Sequence, residues 1–208
     1  MQPARNILIL SLLALLPAWF AYGEPLASVV KNGDIIFHIS LSSQSIAIQR
    51  ATGSRYSHMG MILFRNGSPM VFEAIQTVRY TPLKKWVERG EGGHFVVKRV
   101  ADADRVMTRT AIQKLKDQAR SFEGKPYDMT FEWSDARIYC SELVWKIYER
   151  ALGIQIGELQ RLREFRLDDP AVRRKMKERY GTAIPMHERV IAPGAMFNST
   201  KLIVVTQK

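Results

Sequence analysis

The 208-residue chain contains one cysteine, Cys140, and four histidines. A lone cysteine cannot form an intramolecular disulfide, and it removes every paired-cysteine metal site. There is no H-E-x-x-H and no dense His/Asp cluster, so no metal site is expected. The absence of G-x-S-x-G removes the nucleophile-elbow signature of serine hydrolases. No internal repeat, low-complexity stretch or Gly/Ser linker divides the chain. Acidic residues are scarce, 20 against 31 Lys and Arg, giving a formal net charge of +11.

The opening, MQPARNILILSLLALLPAWFAYGEP, has the three-part grammar of a secretory signal peptide. Arg5 precedes an uncharged run from Ile7 to Ala21, and Ala21-Tyr22-Gly23 offers a small-x-small cleavage site. A membrane anchor is the competing reading. The run is short for a span of about 20 residues and is broken by Pro17, so cleavage after Gly23 is favoured. The expected organisation is a signal peptide over 1–23 and one domain over 24–208, periplasmic or secreted. Removing the leader takes away one positive charge, so the mature net charge is +10.

Basic residues concentrate in QRLREFRLDDPAVRRKMKERYG, residues 160–181. Such a run is a solvated helix face or a contact for an anionic surface: phospholipid headgroups, lipopolysaccharide or acidic cell-wall polymers. Nucleic acid is not expected as a partner, because export removes it and no recognition motif is present.

Along the chain, NGDIIFHIS (32–40) reads as a turn and a strand, and 42–52 as a short helix stopped by Gly53. Residues 57–64 and 69–75 form a hairpin through Asn66-Gly67, a type I′ turn signal. A helical turn follows at 82–90, then a strand at 92–100 and a helix over 104–122. EGKPYD (123–128) is a loop. The helix after Cys140 ends at Gly153, and a strand closes the chain over 199–207. Strands first and major helices later imply an α+β fold, an antiparallel sheet packed against helices.

In an oxidising compartment a single thiol is buried and inert, paired between chains, or reactive. Cys140 heads an apolar helix, where backbone N–H groups and the macrodipole favour an anionic sulfur and can hold an oxyanion beside it. It also shares a face with Leu143 and Val144, as an inert core residue would. A partner has to decide. With Asn66-Gly67 as the loop, paired positions in the hairpin place Gly60 opposite Glu73. His58 then projects from the same face as Glu73 on the diagonal, with no side chain at Gly60 in between. A carboxylate that fixes an imidazole and an imidazole that takes a thiol proton are the needs of a cysteine hydrolase. The same pair is equally a cross-strand ion pair on a solvated face. His38 has no acidic neighbour in sequence, His94 follows a glycine pair, and the side chain of Glu188, next to His187, points elsewhere.

YSHMG (56–60), FEA (72–74), GKPYD (124–128) and YCSELVW (139–145), in that order, resemble the circularly permuted papain-like amidases of the YiiX/YaeF type, within the NlpC-like superfamily. The resemblance implies a permuted papain-like fold with Cys140 as nucleophile, His58 as base and Glu73 as orienter. It places Tyr127 and Asp128 at the substrate, with Tyr139 where many unpermuted relatives carry Asp. Ser141 matches a serine that contacts a substrate amine in cell-wall peptidase relatives. The implied function is a secreted thiol hydrolase, without a cofactor, that cleaves an amide or ester through an acyl-thioester. Its substrate would be a peptide or amino-acyl amide of the cell envelope, or a lipid acyl chain. A non-catalytic envelope binding module on the same fold is the alternative.

Overall fold

The structure is a computed structural model that describes residues 25–208, so the expected leader over 1–23 lies outside the described residues. In chain order the elements are α1 (Leu26–Val29), β1 (Ile35–His38), α2 (Ser45–Thr52), β2 (His58–Arg65), β3 (Ser68–Ala74), β4 (Val78–Pro82), α3 (Leu83–Glu88), β5 (Val96–Val100), α4 (Ala103–Val106), α5 (Arg109–Phe122), α6 (Cys140–Leu152), β6 (Gln160–Arg161), α7 (Pro170–Tyr180), β7 (Arg189–Val190), α8 (Pro193–Phe197) and β8 (Leu202–Gln207). Six strands make one antiparallel sheet in the order β4-β3-β2-β1-β5-β8. This is the α+β architecture expected. Among the described residues no helix is long and apolar enough to cross a membrane.

The β2–β3 hairpin turns on Asn66 and Gly67, both at positive φ as a type I′ turn requires, and its pairing runs from Arg65↔Ser68 to Met61↔Phe72. That is the register read from the sequence. Gly60 has a spatial reason to be glycine: a Cβ there would lie 2.4 Å from Val71 Cγ1 and 2.8 Å from the Phe72 carbonyl oxygen.

The sheet is buried on both faces. On one, Phe37, Met59, Met61 and Phe72 pack with Leu143, Val144 and Ile147 of α6 and with Leu115 of α5. On the other, Ile36, Ile62, Val71 and Val97 pack with Leu83 and Trp86 of α3. Side chains alternate across a strand, so His38, His58 and Glu73 project on this second side.

Several sequence boundaries are corrected. The helix expected over 104–122 breaks at Met107, whose backbone is non-helical, and α5 restarts where Thr108 Oγ1 accepts the Ala111 N–H at 3.2 Å. The strand expected over 92–100 begins only at Val96, after a 3-10 turn at 91–93, and the final strand starts at 202 rather than 199. The strand β4 was not foreseen; it sits at the sheet edge, where Pro82 deprives no neighbour of a donor. The basic stretch contains α7, capped by Asp169, which accepts from Ala171 N–H at 2.8 Å, with Pro170 in the first turn. Arg173, Arg174, Lys177 and Glu178 are exposed, Lys175 and Arg179 are half-buried, and Val172 and Met176 are buried.

Candidate active site

Cys140 is the first residue of α6, with Tyr139 as N-cap. Tyr139 makes no side-chain cap, and Glu142, three residues on, sits in the first turn near the Tyr139 backbone N–H. Glu142 also pairs with Lys146 at 2.7 Å. Burial is the larger influence on it and lifts its carboxyl to about 8. These contacts fix the first turn and leave the Cys140 N–H pointing off the helix end beside the sulfur.

His58, the first residue of β2, reaches Glu73 Oε2 through Nε2 at 2.7 Å, and its ring is the hydrogen-bond partner of the Cys140 sulfur. With Nε2 turned to the carboxylate, Nδ1 is the nitrogen left to face sulfur. Cys140 and His58 thus come from opposite sides of the sheet and meet at its end. All three side chains are buried.

Glu73 is held by four donors. Oε1 accepts from Thr81 Oγ1 at 2.6 Å; Oε2 accepts from His58, from Trp86 Nε1 at 2.9 Å and from Arg89. Burial alone would raise its pKa, but the bonds and charges of His58 and Arg89 override this and hold it down to about 2. Burial alone would likewise lower His58; the charge and hydrogen bond of Cys140, then those of Glu73, raise it to about 9. The His58–Glu73 pair is therefore charged at neutral pH.

His38 lies directly across from His58 in the β1–β2 register and stacks on Trp86, with ring centroids 3.9 Å apart. Burial, then the nearby His58 and Arg89, lowers it to about 2, so it is a neutral ring that does not compete for the proton. The sequence reading set His38 aside because its neighbours come from strand pairing and from α3, neither local in sequence. Thr81, Trp86 and Arg89 were missed for the same reason. The one available signal was the i, i+3 spacing of Trp86 and Arg89, which puts both on one helical face.

Two cavities adjoin the site. One, a narrow cavity of about 80 Å³, lies between α2 and α7; its walls include Cys140, Ala47, Ala51, Leu162, Val172 and Met176, and they are almost wholly apolar. The other, about 540 Å³, is more polar and borders His58, Ser40, Gln76 and Arg89. Of the expected substrate contacts, Tyr127 lines both cavities, and Tyr139 and Ser141 line the apolar one. Asp128 lines neither. It is fully buried, with Oδ1 accepting from the Thr130 N–H at 2.7 Å and from Oγ1 at 2.9 Å. Ser141 donates its hydroxyl to the Ile191 carbonyl at 2.7 Å, and Tyr139 Oη accepts the Ile191 N–H at 3.0 Å. Both polar ends are therefore engaged with backbone. Among the described residues no group of three His, Cys, Asp or Glu side chains is placed to hold a metal ion.

Residues 29–206 match the model of the permuted papain-like amidase enzymes, the YaeF/YiiX or C92 family. The chain is 51% identical over 204 residues to the uncharacterized protein YiiX of Escherichia coli strain K12, covering 98% of this chain and 96% of that one. It is also similar to the crystal structure of metalloprotein YiiX from Escherichia coli O157:H7. That match has a TM-score of 0.82 and 52% identity, over 86% of this chain and 97% of the other.

Proposed function

The chain belongs to the permuted papain-like amidase family, cysteine hydrolases in general, and from that premise we propose that it cleaves the amide or ester of a fatty-acyl substrate through an acyl-thioester on Cys140. The observation that carries the acyl reading is the apolar cavity opening beside the Cys140 sulfur. Apolar walls favour a hydrocarbon chain at ~0.8 kcal/mol per buried methylene, and a charged cell-wall peptide would have to shed its hydration there. The engaged hydroxyl of Ser141 also argues against a substrate amine at that position.

With its thiol proton passed to His58, the Cys140 sulfur attacks the carbonyl carbon, and the carbonyl electrons move to oxygen, toward the N–H at the start of α6. His58 gives its proton to the leaving amine or alcohol as the C–N or C–O bond breaks. Water then attacks the thioester, His58 takes the water proton, and the C–S bond breaks to release the fatty acid and leave the sulfur anion beside the protonated His58. Glu73 keeps the imidazole oriented throughout. The relative from Escherichia coli O157:H7 is described as a metalloprotein; the described residues here offer no such ligand cluster, and no step runs through a metal. The reading includes export with removal of residues 1–23, and contact of the α7 basic face with the anionic surface that holds the substrate.

The test is incubation with N-acyl and O-acyl substrates followed by intact-mass measurement. A mass gain equal to the acyl group in wild type, absent in Cys140→Ser, is the expected outcome. Turnover that survives Cys140→Ser would refute the mechanism. The same spectra report whether the exported chain begins at Glu24.

A further inference from the structure

The two cavities share four lining residues: Gln44, Tyr127, Lys175 and Arg179. Cys140 lies on the apolar side of that boundary and His58 on the polar side. A substrate with its acyl chain in the apolar cavity and its carbonyl at sulfur must direct its leaving group toward the proton on His58. The leaving group therefore occupies the polar cavity, and the chemistry of that cavity selects it.

Besides His58, three cations line the polar cavity, Arg89, Lys175 and Arg179, against one carboxylate, Glu178. Arg89 is committed to Glu73, and Lys175 is paired with both oxygens of Glu178 at 2.7 and 3.0 Å. Arg179 has no carboxylate partner among the described residues. Its guanidinium donates to Gln44 Oε1, whose amide donates in turn to Tyr127 Oη at 3.0 Å. It lies over the Phe131 ring, 4.7 Å from the centroid, and its Nε is buried without an acceptor. The side chain is held in place at the cavity boundary, with positive charge and a donor left over.

We propose that Arg179 is an anion subsite for the leaving group, binding a carboxylate or phosphate attached to the amine or alcohol that is released; this rests on the acyl-hydrolase reading above. A guanidinium fork matches either oxyanion with two parallel bonds, and such charge-assisted bonds are the stronger class. The favoured substrate is amphipathic, an apolar acyl chain joined to a small anionic head.

Binding is measured calorimetrically on Cys140→Ala, which holds substrate uncleaved, with three congeners of one chain length: N-dodecanoylethanolamine (neutral), N-dodecanoylglycine (carboxylate) and N-dodecanoylphosphoethanolamine (phosphate). At least one anionic congener should bind tighter than the neutral one by roughly tenfold to a hundredfold. Which of the two it is separates an acyl amino acid from a phospholipid-like head. Adding Arg179→Gln should bring that ratio close to one, and Arg179→Lys should retain part of it. Because Arg179 also steadies Gln44, a second variant tests the charge alone. Glu178→Gln on the exposed side of α7 frees Lys175 and should increase the anionic preference about threefold. Equal affinities for the three congeners, no binding, a preference that survives Arg179→Gln, or no gain in Glu178→Gln would each overturn the subsite. Turnover of the same congeners by wild type reports separately. Binding preference without cleavage overturns the hydrolase reading and leaves the subsite, and cleavage without preference does the reverse.

Discussion

Arg89 donates to Glu73 Oε2, the same oxygen that His58 engages through Nε2. The arginine side chain is 38% exposed and the carboxylate fully buried, so one partly solvated cation stabilises an anion with no water of its own. Arg89→Gln should raise the Glu73 pKa from about 2 by roughly one to three units and move the acid limb of kcat/KM upward, so that the loss appears below about pH 5 with little change in KM. Arg89→Lys should recover part of the loss. A pH–rate profile on the three proteins checks this; an unmoved acid limb would reduce Arg89 to a packing role.

His58 carries its proton to about 9 rather than the usual 6.5. Activity should therefore fall as pH rises through about 9, where the general acid is lost. The stability contribution has the same sign: it is complete below 6.5 and lost as pH rises through about 9. For Glu73 the contribution is complete above 4.5 and lost as pH falls through about 2. Tm measured from pH 5 to 10 should decline at the alkaline end in wild type and decline less in His58→Ala. That variant should also lose activity by ~10²–10⁴-fold.

Acyl-chain length gives a graded test of the apolar cavity. Each added methylene should raise kcat/KM about fourfold, from ~0.8 kcal/mol of burial, until the cavity is filled. Ala51 lines that cavity on α2, and Ala51→Phe should end the rise at a shorter chain while short substrates are still cleaved. A flat dependence on chain length would place the acyl group elsewhere.

Gly60→Ala should destabilise the fold by about 1–3 kcal/mol, read from denaturant midpoints at constant m-value. The new Cβ would meet the Phe72 carbonyl oxygen at 2.8 Å, and backbone in mid-sheet cannot step aside. The cost should appear in activity as well, because Glu73 Cβ is also within 3.3 Å of that position.

The hairpin register was legible because Asn66-Gly67 is a two-residue signal with one geometric solution, and it alone brings His58 and Glu73 to one face. The α6 start and its Gly153 stop at φ 69° were legible from local chemistry in the same way. The packing of β1 beside β2 was not, so His38 appeared isolated although it sits across from His58. The donors around Glu73 come from β4 and α3, which meet it only through tertiary packing. In the basic stretch, charge on the outer face hid Val172 and Met176, two apolar residues one turn apart that wall the cavity. The Asp169-Pro170 start of that helix was a readable cap.

The first and last described elements are neighbours: Leu26 and Val29 of α1 and Val205 of β8 pack against the same small core, and Arg99 ties Asp34 to the Val29 carbonyl from the strand paired with β8. A peptide joining β8 to α1, with the chain opened anywhere in the loop between α5 and α6, would present the cysteine before the histidine and the acid without displacing any of them. The linear order of these groups is then a matter of where the ribbon was cut, and a search for relatives by three-dimensional constellation should recover proteins that a collinear alignment passes over.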